Sequence, residues 1–197
     1  MNYLFHLYLC DRSPEGFLGS LMGDFVKGRL DDTYPAGIRQ GIVLHRRIDS
    51  FAHSNAIVRR SLQRLNPDYR HYRGILVDVF YDHFLARNWP SDAGMPLASF
   101  ARSVYLALEI HHRLLPPGLQ RIAPRMIAHN WLESYRVIDT VDTVLGHLSN
   151  RLSRPNPLAR GTAELRRHYQ ALENDFSQFL PEAVACARSL GAPPQDD

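Results

Sequence analysis

The sequence holds one lysine, two cysteines, no long apolar run and almost no period-2 strand pattern. No stretch approaches the roughly 20 apolar residues that span a bilayer, so no membrane partner is expected. The apolar run Tyr3 to Cys10 is short and interrupted by His6, and no basic region precedes it. It does not read as a secretory signal. Cys10 and Cys186 lie far apart and form no CxxC. Neither a disulfide framework nor a thiolate metal site is indicated, and a reducing cytoplasm is the expected setting. With Lys27 the single lysine, 22 arginines carry the positive charge. Arginine offers a planar fork suited to phosphate and carboxylate. A net charge of +3 and a pI near 9.0 favour an acidic partner. That excess is too small to indicate nucleic acid.

What is present reads as one helical domain. The chain has 197 residues, 45% of them hydrophobic and 22% charged, enough for a sizeable core. Turn signals fall at Asp31 to Pro35, Asn66-Pro67, Trp89 to Pro96, Pro116 to Gly118 and Arg154 to Gly161. Between them apolar residues recur at helical spacing. The pattern predicts helices over 2–10, 14–28, 35–56, 69–88, 97–114, 119–136, 139–152 and 161–188. The last is expected to kink or break at Pro181. The expected fold is all-α, a single-domain bundle of about seven to eight helices over 1–190. Residues 191–197 are expected to form a frayed tail.

Projected at 100° per residue, several ionisable groups fall on apolar faces. Asp24 lines up with Phe17, Leu21 and Gly28. His45 and Asp49, spaced i, i+4, share a face with Ile38, Ile42 and Ala52. Asp78 and Asp82, also i, i+4, flank the stripe of Tyr72, Ile75, Leu76, Val79 and Phe80, and His83 projects near its middle. His6 shares a face with Tyr3, Leu9 and Cys10. A buried carboxylate is costly unless it is paired or binds a metal. Any one of these residues alone reads more readily as a structural ion pair or a hydrogen-bonded core histidine. Together they point to a divalent metal where helices meet, since carboxylate oxygen and imidazole nitrogen suit Mn²⁺, Mg²⁺, Fe²⁺ or Zn²⁺.

Four stretches carry a family resemblance: Asn2 to Leu7 (NYLFHL), Gly19 to Gly28 (GSLMGDFVKG), Gly41 to Asp49 (GIVLHRRID) and Asp78 to Trp89 (DVFYDHFLARNW). In these the sequence resembles the acyl carrier protein phosphodiesterase family. Weaker likeness runs through Trp131 to Tyr135 and Tyr169 to Phe179. That family is similar in its helical fold to HD-type metal-dependent phosphohydrolases. The nearest pairs here are His45 with Asp49, and Asp82-His83 in reverse order, rather than His directly before Asp. The resemblance implies hydrolysis of the phosphodiester between 4′-phosphopantetheine and a serine of holo-acyl carrier protein. It also implies a divalent metal, with Mn²⁺ the leading candidate.

On this reading His6, Asp24, His45, Asp78 and Asp82 hold or orient the metal. His6 and Asp49 are either ligands or groups that fix ligand orientation. Asp24, His45, Asp49 and His83 are the catalytic candidates. His83 is either a ligand or the acid that protonates the serine oxygen. Arg46 and Arg47 are candidates to contact the phosphodiester, against the alternative of a solvated arginine or a salt bridge to Asp49. Carrier proteins are acidic, and Arg39, Arg59, Arg60, Arg64, Arg70 and Arg73 would form a basic rim if they shared one surface. Two alternatives stay open: a related phosphohydrolase of a nucleotide or other small phosphoester, and a non-catalytic helical module that binds acidic proteins.

Overall fold

The computed structural model describes residues 1–191, and the expected tail beyond Gly191 lies outside the described residues. Eleven α-helices and four 3₁₀ turns make up the described chain, with no β-strand among the described residues. They are α1 (Tyr3–Leu9), α2 (Pro14–Met22), α3 (Ala36–Ser54), α4 (Ala56–Arg64), α5 (Arg73–Arg87), α6 (Leu97–Ile110), α7 (Pro117–Ala128), α8 (Trp131–Ser134), α9 (Ile138–Arg151), α10 (Thr162–Arg167) and α11 (Tyr169–Gly191). The fold is all-α, as the periodicity predicts.

Several boundaries differ from expectation. The helix expected over 119–136 divides into α7 and α8 at Asn130, which is left-handed with φ +46°. The helix expected over 14–28 stops at Met22, so Asp24 sits in the turn that follows. A helix over Ala56–Arg64 was not expected. Asn55 caps it, its side chain accepting from the backbone N–H of Ile57 and Val58. The long C-terminal helix does not break at Pro181; the break falls at His168, and α11 continues through the proline.

Two features of the packing position the site. An aromatic cluster ties α1, α5 and α11 together: Phe5 stacks on Phe179 at 5.5 Å, and Tyr81 meets Phe176 edge-on at 5.5 Å. Such pairs add to burial through their quadrupoles. Helices α2 and α3 meet through glycines. A Cβ added at Gly19 would lie 2.8 Å from the Gly41 Cα, so only glycine allows this approach. It brings the carbonyl end of α2 against the middle of α3, where His45 stands.

Candidate metal centre

Helix α1 is only seven residues long and is held by its N-terminus. Both oxygens of Asp82 accept from it, Oδ2 from the Leu4 N–H and Oδ1 from the Phe5 N–H, each at 2.9 Å. A carboxylate here satisfies two unpaired donors and complements the helix dipole. Burial pushes the Asp82 carboxyl up, the two N–H groups oppose it, and it ends at about 7. His6, one turn into α1, is thereby fixed beneath α3.

The imidazoles of His6 and His45 stack with ring centroids 3.6 Å apart. His6 Nε2 lies 3.1 Å from Asp49 Oδ1. His45 Nε2 lies 3.3 Å from Asp49 Oδ2 and 3.6 Å from Asp24 Oδ1. Potential ligand atoms of His6, His45 and Asp49 all fall within 4.8 Å of one another. Both histidines are buried, whereas the Asp24 and Asp49 side chains are 45% and 43% exposed. The cluster is therefore open on its carboxylate side.

The local sequence explains this geometry. His45 Nδ1 donates to the Ser20 carbonyl at 2.7 Å, which turns Nε2 toward Asp24 and Asp49. Gly23 leaves room for the ring: a Cβ there would stand 2.5 Å from His45 Cδ2. Arg46 then pins the chain beyond Asp24, donating to the carbonyls of Val26 at 2.7 Å and Gly28 at 2.8 Å. Gly28 has φ +79°, a conformation that favours glycine, and closes the turn.

The charges follow from these contacts. Burial dominates at His6 and lowers it to about 4, which keeps that ring neutral. At His45 burial is outweighed by Asp24 and Asp49, and its pKa rises to about 9. Asp49 is raised by burial but lowered more by His45, His6 and the Met1 amine, and it ends well below the usual carboxylate range. Asp24 is also lowered, burial being outweighed by His45. The Met1 amine lies 2.9 Å from Asp49 Oδ1 and 3.5 Å from Asp78 Oδ2. Burial raises Asp78, with the amine opposing.

The residues present fit a divalent metal. Two imidazoles with carboxylates form a mixed N/O donor set. An Nδ1–H held on a backbone carbonyl is the usual way to orient a ligating histidine. His6 Nδ1 is buried with no hydrogen-bond partner. An unsatisfied buried imidazole nitrogen is costly unless something else engages the ring.

The structure brings together His6, Asp24, His45 and Asp49, and sets Asp78 beside them through the Met1 amine. It does not bring the other candidates in. Asp82 has both oxygens on α1, so it supports His6 rather than joining the group. His83 lies next to Asp82 but about 100° around the helix. Its Nδ1 is 2.7 Å from the Tyr135 carbonyl and its Nε2 is 3.0 Å from the Tyr169 hydroxyl, a core position. Arg46 is committed to backbone carbonyls. Arg47 is about 200° from His45 on α3. It lines an outer groove with Arg39, Val43 and Leu190.

The expected basic rim is largely internal. Arg39 pairs with Asp32, Arg60 and Arg64 with Asp175, and Arg73 donates to the carbonyls of Arg70 and Leu62. Asp175 was missed from sequence. Its side chain is 1% exposed and also accepts from Ser61 Oγ at 3.0 Å. Its spacing from Leu172, Phe176 and Phe179 places it on the apolar face of α11 and could have exposed it. The Ser20 carbonyl and the Met1 amine left no side-chain signal to read.

The family model described as acyl carrier protein phosphodiesterase matches residues 1–183. The chain is 33% identical over 190 residues to the acyl carrier protein phosphodiesterase of Enterobacter sp. (strain 638), covering 96% of this chain and 98% of that one. It is 32% identical over 189 residues to the protein of that name from Serratia proteamaculans (strain 568), covering 95% and 98%. It is 34% identical over 192 residues to the one from Klebsiella pneumoniae subsp. pneumoniae, covering 96% and 98%. No solved structure matches the chain. The family match spans all four motifs that carry the cluster, and the chain belongs to the acyl carrier protein phosphodiesterase family.

Proposed function

We propose that this protein hydrolyses the phosphodiester joining 4′-phosphopantetheine to the serine of holo-acyl carrier protein, releasing apo-carrier protein and 4′-phosphopantetheine. The observation that carries the reading is the convergence of His6, His45 and Asp49 within 4.8 Å, in a chain that matches this family from end to end. His6, His45 and Asp49 are the residues that would hold a divalent ion, Mn²⁺ first among candidates, with Asp24 completing the group. Such an ion supplies positive charge against phosphoryl oxygens and acidifies water near neutral pH.

The chain's own residues do the rest. His6, buried and neutral, offers a lone pair without first losing a proton. Ser20 fixes the tautomer and tilt of His45. Asp24 and Asp49 are half-exposed and ionised, so they face the side from which a phosphodiester enters. Arg46 acts on the reaction only by holding the turn that carries Asp24.

Equilibrium dialysis against Mn²⁺ tests the metal. Wild type should retain the ion, and Asp49→Asn should weaken binding by about 100-fold or more. A substrate panel tests the specificity. Turnover of holo-carrier protein well above that of nucleotides and simple phosphodiesters supports the reading; preference for a small phosphoester contradicts it.

A further inference from the structure

Three of the six large apolar side chains that are exposed among the described residues stand on one segment. They are Leu106 at 53%, Ile110 at 66% and Leu114 at 42%. Leu106 and Ile110 continue an i, i+4 row that begins at Arg102 on α6. Beside this row, a groove of about 410 Å³ separates α6 from α7 and is lined by Leu108, Glu109, His112, Pro124 and Ile127 among others. Soluble proteins rarely leave apolar groups together in this way unless something covers them.

The charge of the segment as a whole is one-sided, although its one carboxylate lines the groove. Residues 97–128 hold Arg102, Arg113, Arg121 and Arg125 against a single carboxylate, Glu109. All four arginines are exposed, and none forms an ion pair among the described residues. This differs from the arginines of α3 and α4, of which Arg39, Arg60 and Arg64 are paired internally. Exposed apolar groups and unpaired arginines on one segment are the composition of a protein interface.

The segment also adjoins the metal centre. A Cβ added at Gly118, in the first turn of α7, would lie 2.6 Å from Phe25 Cδ1, and Phe25 directly follows Asp24. Arg121 is three residues further, a rise of about 4.5 Å along the helix. Leu114 is four residues earlier, within about 14 Å at full extension.

Resting on the function proposed above, we infer that the α6–α7 face is the docking surface for the acidic carrier protein. The carrier covers the apolar row, and Arg102, Arg113, Arg121 and Arg125 pair with carrier carboxylates. The prosthetic arm then passes Gly118 and Phe25 to reach Asp24.

The test compares wild type, Ile110→Asp/Arg113→Glu and a control, Arg59→Glu, which reverses an exposed charge on α4. Steady-state hydrolysis of holo-carrier protein is read with binding of apo-carrier protein by fluorescence anisotropy. The double variant should raise KM and the apo-carrier Kd by about tenfold or more with kcat little changed, while the control keeps both near wild type. Circular dichroism checks that the variants fold alike. Unchanged KM and Kd in the double variant, with wild type active, overturn the inference and leave the proposed reaction standing. An inactive wild type overturns the reaction, and apo-carrier binding then decides the surface by itself. A wild-type dimer that becomes monomeric in the double variant with KM unchanged assigns the face to a second copy and also overturns the inference.

Discussion

At the scale of single residues, the chain uses carboxylates in three ways that look alike in sequence. Asp49 faces two imidazoles and stays half-exposed. Asp82 is sealed beneath α1 and caps it. Asp175 is buried between two arginines. The substitutions should separate accordingly. Asp49→Asn should weaken Mn²⁺ retention by about 100-fold or more and also lower stability near neutral pH, because the Met1 amine and His45 lose a charged partner. Asp82→Asn should lower stability by about 1–2 kcal/mol, because one N–H of α1 loses its acceptor, while Mn²⁺ affinity stays within about threefold. Thermal unfolding and metal titration on both variants check this, and a collapse of affinity in Asp82→Asn would return it to the ligand set. Asp175 sets a pH dependence. Burial raises its pKa, but Arg64, Arg60 and Ser61 outweigh that and lower it below its ordinary 3.8. A depressed carboxylate stabilises the fold above its unfolded pKa, and the contribution disappears as pH falls through the folded pKa. Asp175→Asn should therefore be about 2–3 kcal/mol less stable near neutral pH, less than for a fully buried pair because the arginines reach solvent. That gap should narrow as pH drops below 3.8. Denaturant melts across pH measure it, and a gap constant to low pH would contradict the assignment.

At the scale of elements, the site depends on how closely α2 and α3 approach. Gly23 has φ −53° and ψ −33°, which alanine adopts freely. Only the collision of a new Cβ with the His45 ring opposes Gly23→Ala. That variant should lose turnover by at least about tenfold through displaced His45 while keeping its helical content, read by kinetics beside circular dichroism. Wild-type kinetics in Gly23→Ala would show that His45 tolerates movement. The elements were largely legible. Ser13-Pro14 opens α2 and apolar spacing marks α3, because capping and periodicity are local. Asn55 with Ile57, Val58, Ser61, Leu62 and Leu65 carries the same local signals for α4. The end of α2 was not legible, because Gly23 serves a contact with a residue 22 positions away.

At the scale of the molecule, wheel projection identified inward-facing groups but not their partners. His6, His45, Asp24 and Asp49 were expected together and converge. Asp82 and His83 project inward equally well, yet α1 and the Tyr135 carbonyl engage them, contacts that only the assembled bundle creates. The basic residues show the same limit: Arg60 and Arg64 are clustered in sequence and neutralised by Asp175 on α11. Four exposed arginines without an ion pair among the described residues lie instead on α6, α7 and the turn between them. Because long-range attraction between exposed charges is screened beyond about 10 Å at 0.1 M salt, KM for carrier protein should rise with ionic strength. The most direct measurement of the central claim is the intact mass of holo-acyl carrier protein after incubation with Mn²⁺ and enzyme. Parallel samples contain EDTA or the Asp49→Asn variant. The account predicts loss of the 4′-phosphopantetheine mass with wild type and Mn²⁺ alone. Loss that persists with EDTA or with Asp49→Asn, or no loss at all, would contradict it.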